Sequence, residues 1–233
     1  MPFILINKEA GWTSHDVVGY LRKITRIKKI GHAGTLDPFA TGLLIVGIGR
    51  DATKRLDEFK GMHKEYEATV RLGGVSTTYD KTGVIAESSL SKKIISLEEI
   101  QPVIQSFAGQ QEQLPPMYSA KKINGEKLYT LARKGIEVER RPQLITIFDI
   151  QIVHYEYPYL KLKITCSTGT YIRTIAHDIG QKLGVGAYCE ELKRTHIGEW
   201  SLKNSICVTE MTQENWKNQL FDPQGEVDKK PNI

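Results

Sequence analysis

Cysteine is scarce in this 233-residue chain, and the three present, Cys166, Cys189 and Cys207, nowhere form a Cys-x-x-Cys pair. An odd, scattered set argues against a disulfide framework and against a zinc site, and for reduced thiols, two of them core residues. Long apolar runs are missing as well. No stretch approaches the roughly 18 residues that a membrane helix needs. The apolar start from Phe3 to Ile6 meets Lys8 and Glu9 too soon for a signal peptide. The chain therefore reads as cytoplasmic. Internal repeats and low-complexity tracts are also absent. With 40% hydrophobic and 25% charged residues, the composition is that of an ordinary globular protein able to bury one large core or two small ones.

Net charge is only +5, but its distribution is uneven. Arg22, Lys23, Arg26, Lys28 and Lys29 follow one another with no acid between them. Between 121 and 141, Lys121, Lys122, Lys127, Arg133, Lys134, Arg140 and Arg141 outnumber Glu126, Glu137 and Glu139. The rest of the chain is net negative. Either segment alone could be a solvated helix face. Together, with Tyr118 and Tyr129 interleaved in the second, they favour a polyanion held by charge and by stacking on exposed bases.

Apolar periodicity gives a mixed α and β pattern. Phe3 to Ile6 reads as a strand, and Ser14 as the cap of a helix with Val17, Val18, Leu21 and Ile24 on one face. Tyr66, Ala68, Val70 and Leu72 alternate as a half-buried strand ended by Gly73-Gly74. Ser96 and Glu99 form a capping box for a helix through Phe107 that contains Pro102. Strands follow from Leu144 to Val153 and over Leu160 to Cys166. Thr170 then leads a helix stopped by Gly184. Residues 113–142, rich in Pro, Lys, Arg and Tyr, interrupt this pattern as an insertion, with a short helix around Leu128 to Ala132.

The chemical centre of the sequence is Gly31-His32-Ala33-Gly34-Thr35-Leu36-Asp37-Pro38-Phe39-Ala40-Thr41-Gly42-Leu43-Leu44. Its glycines permit unusual backbone angles, and Pro38 keeps Asp37 out of helical geometry. The apolar run from Leu43 to Ile48 reads as a buried strand anchoring the loop. An isolated Asp-Pro pair would be no more than a turn. In Cys166-Ser167-Thr168-Gly169-Thr170-Tyr171-Ile172-Arg173-Thr174, Arg173 falls in the first turn of a helix, where the macrodipole disfavours a cation. That misplacement hints at function.

The first of these strings resembles the catalytic motif of the TruB-type tRNA pseudouridine synthases, Gly-His-x-Gly-x-Leu-Asp-Pro-x-Ala-x-Gly, with every specified position filled. The string from Leu114 to Lys122, with Gly125, Leu128, Tyr129, Ala132, Arg133, Gly135 and Ile136, is similar to that family's thumb, which closes on the T arm of tRNA. The resemblance runs from residue 3 to about 205. It implies an α+β pseudouridine synthase fold, with a central mixed, mainly antiparallel sheet, flanking helices and a thumb-like insertion. It also implies a single catalytic domain over 1–233, with the thumb at 113–142.

The activity implied is isomerisation of uridine 55 in the T loop of tRNA, after the base is flipped out. Asp37 matches the family's nucleophile, acting either at the ribose C1′ or by removing the 2′ proton. Arg173 matches the arginine that pairs with that aspartate. Tyr66 matches the tyrosine that packs on the flipped uridine and is a candidate for proton removal. His32 matches the histidine that enters the RNA loop, and Tyr171 and Leu192 match residues lining the base pocket. Asp80 matches an acid that helps orient the arginine, and with Lys8 it is grouped among the substrate-binding residues.

No metal or cofactor, no membrane and no obligate protein partner is expected, and the chain is expected to be a monomer. Three departures from the family pattern stand out. Asn7-Lys8-Glu9-Ala10-Gly11 replaces Asp-Lys-Pro-x-Gly, and Ser76-Thr77-Thr78-Tyr79-Asp80 only partly matches an acid-rich turn. The stretch after about 205, with its polar 222–233 tail, is too short for a complete PUA domain. Rival readings are a tRNA-binding folding chaperone with secondary catalysis, a base glycosylase, and a noncatalytic domain.

Overall fold

The computed structural model describes residues 2–88, 94–119, 121–123 and 125–223. Its elements begin with β1 (Phe3–Lys8), α1 (Ser14–Thr25), β2 (Ile30–Ala33), β3 (Thr41–Ile48), α2 (Arg50–Lys54) and α3 (Leu56–Lys60). Next come β4 (Lys64–Leu72), β5 (Gly74–Ser76), β6 (Ile85–Glu87), α4 (Leu97–Gln105) and β7 (Gly109–Gln113). The insertion carries β8 (Lys122–Ile123), β9 (Glu126–Lys127) and α5 (Leu128–Arg133). After it follow β10 (Gln143–Glu156), β11 (Tyr159–Cys166), α6 (Ile172–Lys182), β12 (Ala187–Ile197), β13 (Trp200–Ser201) and β14 (Ile206–Cys207).

The chain divides into two compact units, one formed by residues 1–61 with 199–233 and the other by 62–198. In the first unit, β1 runs antiparallel to β3, with Phe3 opposite Gly47 and Lys8 opposite Gly42. On its other edge β1 takes β14 in parallel, and β2 pairs antiparallel with β3. Both faces of β3 are buried, which is why its sequence is almost wholly apolar. Val17, Val18 and Leu21 of α1 pack with Ile4, Ile6, Leu44, Val46, Val208, Met211 and Trp216 as its core. The cap of α1 is Thr13, whose hydroxyl accepts from Asp16 N while Asp16 accepts from Thr13 N. Ser14, expected to be the cap, is the first helical residue, and the reason lies in its contact with the Asp37 loop.

The second unit is an antiparallel sheet in the order β12-β4-β11-β10-β7. Tyr66, Ala68, Val70 and Leu72 of β4 face inward, opposite Ile164, Leu162 and Leu160 of β11. Helix α6 packs on β12 and β4, and α4 on β10 and α6. The Ser96 and Glu99 capping box forms as read, and Pro102 sits inside α4, which ends at Gln105. Outward-facing Glu65 and Glu67 pair with Lys163 and Lys193. Cys166 and Cys189 are buried and Cys207 half-buried, all three free. No described helix is long and apolar enough to cross a membrane.

On α6, burial pushes the Asp178 carboxyl up to about 6 against the opposing pull of Lys182. The folded state thus binds a proton there that the unfolded chain has already released, so stability falls as pH rises from about 4 to about 6. Replacement Asp178→Asn removes that loss. Thermal unfolding should show a larger gain in Tm at pH 8 than at pH 4, and equal gains at both would contradict the assignment.

Candidate active-site residues

Asp37 lies in the first unit, in the turn between β2 and β3, and its backbone is pinned on both sides. Upstream, the Ser14 hydroxyl accepts from Leu36 N at 2.9 Å and donates to Leu36 O at 3.3 Å. Downstream, Gly11 N donates to Pro38 O at 2.8 Å, and Ala40 N donates to Asp37 O at 3.1 Å. Leu36, Phe39 and Ala40 are buried, whereas Asp37 stays partly exposed. The result is a fixed main chain carrying a partly exposed Asp37. Part of the string read as a loop is strand: His32 lies in β2 opposite Val46. Gly34 and Gly42 take φ of +79° and +107°, the left-handed freedom expected of them, but Gly31 does not. At Gly31 the need is space, because a Cβ there would stand 2.9 Å from Leu56 Cδ1.

Lys8, grouped by the sequence with substrate-binding residues, must be reassigned. It is 0% exposed. Its ammonium donates to Trp12 O at 2.8 Å, Glu9 O at 3.1 Å, Pro38 O at 3.5 Å and Ala40 O. A buried cation must find compensating dipoles, and here they are main-chain carbonyls from the β1–α1 connection and the Asp37 loop. Lys8 thus acts as a rivet for that loop.

In the second unit, Arg173 sits in the first turn of α6, 3% exposed. Its Nη1 donates to Thr78 O at 2.8 Å and lies 3.2 Å from Asp80 Oδ2, and its Nη2 donates to Tyr118 O at 2.9 Å. Asp80 is equally buried. Its Oδ1 accepts from Thr78 Oγ1 at 2.8 Å, Thr82 N at 2.9 Å and Thr82 Oγ1 at 2.5 Å. This enclosed carboxylate lies directly beside the guanidinium. Tyr66 and Leu192 belong to adjacent strands, Tyr66 opposite Arg194 and Leu192 opposite Ala68. Cross-strand partners share a face, so Tyr66, Leu192 and Arg194 line the same side of the sheet.

Tyr171, not Thr170, occupies the N-cap position of α6, without a side-chain cap of its own. The Thr170 hydroxyl turns back to donate to Ser167 O at 2.9 Å. Two residues that the sequence reading passed over also stand out. Arg194 is buried on the Tyr66 face, in phase with Leu192, and that phase was the available signal. Near it Lys64 is pulled down to about 8 by burial, with the Arg194 charge adding to the shift. Gln113 is the other, buried at the end of β7 with its amide turned to Tyr171. In the insertion, the Arg133 guanidinium lies 5.5 Å from the centre of the Tyr129 ring, and Lys134 pairs with Glu126 at 2.9 Å. Among the described residues no cluster of His, Cys, Asp and Glu is arranged to hold a metal.

Comparison with known proteins gives two family matches. Residues 22–172 match the TruB family pseudouridylate synthase N-terminal domain, and residues 173–227 the tRNA pseudouridylate synthase B C-terminal domain. A protein named tRNA pseudouridine synthase B from Clostridium tetani is 48% identical over 212 residues, 91% of this chain and 73% of its own. Proteins of the same name from Chlamydia abortus and Protochlamydia amoebophila are 49% and 50% identical, over 87% of this chain and 85% and 76% of theirs. Among solved structures, a chain from a Cbf5-Nop10-Gar1 complex superposes with a TM-score of 0.69 at 28% identity, covering 89% of this chain and 52% of that one. A chain from an H/ACA RNP bound to a substrate RNA containing 2′-deoxyuridine gives 0.69 at 26%, covering 93% and 55%. This chain thus spans about half the length of those two.

Replacing Lys8 by Met keeps an apolar stem but removes the donor to the carbonyls of Glu9, Trp12 and Ala40, while Pro38 O keeps its bond from Gly11 N. Each buried acceptor left unmade costs about 1–3 kcal/mol. Chemical denaturation should show a loss of at least about 2 kcal/mol. A variant as stable as the parent would refute the rivet.

Proposed function

The chain belongs to the TruB family of pseudouridylate synthases, and we propose that it isomerises uridine 55 in the T loop of tRNA to pseudouridine. The observation that carries this reading is the loop around Asp37, its backbone tied at Leu36, Pro38 and Ala40 while Asp37 itself stays partly exposed. A nucleophile has to be held in one place to attack efficiently. The reaction breaks the N1–C1′ bond, turns the uracil and forms a C5–C1′ bond. The C5 proton leaves and N1 gains one, so no oxidant, reductant or group donor is consumed and no cofactor is called for.

In this proposal Asp37 attacks C1′, and Tyr66 supplies a flat wall for the loosened base and relays the C5 proton. Tyr171 and Leu192 line the uracil, His32 enters the RNA loop, and Arg173 is the catalytic cation. Asp80 holds Arg173, a role supported by their 3.2 Å pairing. The insertion at 113–142 grips the T arm, supported by its excess of lysine and arginine and by the Tyr129 ring beside Arg133. The protein acts in the cytoplasm as a monomer without a protein partner.

Two variants test the reading. With unmodified tRNA transcript and no added metal or cofactor, the wild-type protein should form pseudouridine at position 55. Asp37→Asn should form none while binding tRNA within a few-fold of wild type, and a near-normal rate would remove Asp37 from the mechanism. Arg173→Lys should slow single turnover at least ten-fold, because an ammonium cannot fork between Thr78 O, Tyr118 O and Asp80 as a guanidinium does. An undiminished rate would remove Arg173 from the chemistry.

A further inference from the structure

We propose that Gln113 is a positioning residue for the isomerisation, fixing the first turn of α6 and thereby the orientation of Arg173; this rests on the pseudouridine synthase reading. Gln113 is 4% exposed. Its Nε2 donates to Tyr171 O at 3.0 Å and its Oε1 accepts from Tyr171 N at 2.8 Å. Gripping the N–H and the carbonyl of one residue together fixes both its place and its rotation. Tyr171 O also accepts from Thr174 N and Ile175 N, the first main-chain bonds of α6. The N-cap residue Tyr171 makes no side-chain cap bond, and the Thr170 hydroxyl is turned toward Ser167. The amide of Gln113 does the work left undone by a cap.

Two residues further along the helix, Arg173 Nη2 donates to Tyr118 O. Tyr118 lies five positions after Gln113 in sequence. The segment 113–118 is therefore fastened to the first turn of α6 at both ends, by the Gln113 side chain and by the Tyr118 carbonyl. Between these ends, Pro115 and Pro116 are buried and restrict the backbone, and Arg140 Nη1 donates to Pro115 O at 3.0 Å. The two fastenings and the chain between them close a ring. Loosening Gln113 lets the first turn of α6 rotate, and the guanidinium two residues on rotates with it.

A plain structural tie would make the same two hydrogen bonds, so the test reads coupling to Arg173. Single-turnover pseudouridine formation on unmodified tRNA transcript is measured for wild type, Gln113→Leu, Gln113→Glu, Arg173→Lys and the two doubles, with tRNA affinity and thermal unfolding alongside. Gln113→Leu should slow the reaction at least ten-fold with Kd within three-fold. Gln113→Glu keeps the acceptor for Tyr171 N but loses the donor to Tyr171 O, and should fall between. Each double variant should be within two-fold of Arg173→Lys alone, since both changes damage one device. If Gln113→Leu fails to fold, the Gln113→Glu pair completes the same cycle. Losses that multiply, a wild-type rate for Gln113→Leu, or slowing explained wholly by weaker tRNA binding would each overturn the proposal. An inactive wild-type protein overturns the functional reading and the proposal with it, whereas an active wild type with an unaffected Gln113→Leu overturns the proposal alone.

Discussion

A guanidinium buried at the wrong end of a helix is the constraint around which the second unit is arranged. Arg173 stands in the first turn of α6, where the helix dipole opposes a positive charge. Burial raises the cost further. It is met by Thr78 O, Tyr118 O and Asp80, which come from two places in the sequence: the turn after β5, which supplies both Thr78 and Asp80, and the segment carrying Tyr118. Removing any of these leaves a buried charge underserved. Folding therefore cannot complete without bringing the insertion base, the Asp80 turn and α6 together.

The first unit uses the same device with lysine. Lys8 donates to several carbonyl oxygens and ties the β1–α1 connection to the Asp37 loop. Main chain held by a buried cation is stiff, because any shift of the loop strands the cation or its acceptors. Buried cations bonded to main-chain carbonyls thus occur in both units, Lys8 in the first, beside the Asp37 loop, and Lys64 and Arg173 in the second.

Much of the fold was legible because strands and helices carry their burial in their periodicity. The alternation of Tyr66, Ala68, Val70 and Leu72 and the Ser96 and Glu99 box are visible as residue patterns. What was misread has local physical causes. Thr13 and Ser14 are both able caps, and only the pull of Leu36 on the Ser14 hydroxyl decides between them. Lys8 is grouped with substrate-binding residues through the family motif, and two of the carbonyls that enclose it, those of Pro38 and Ala40, come from thirty and thirty-two positions away. Gln113 carries no charge and belongs to no apolar stripe. Its contact with Tyr171 spans 58 positions, so nothing in its neighbourhood announces it.

The central claim is that this chain moves the bond between ribose and uracil from N1 to C5 within a bound tRNA. That exchange must expel the hydrogen on C5. The most direct measurement is release of tritium from tRNA transcript labelled at C5 of uridine, with the pure protein and nothing else added. One tritium released per tRNA, with all uracil retained in the RNA, is the predicted result. No release, or the appearance of free uracil, would contradict it.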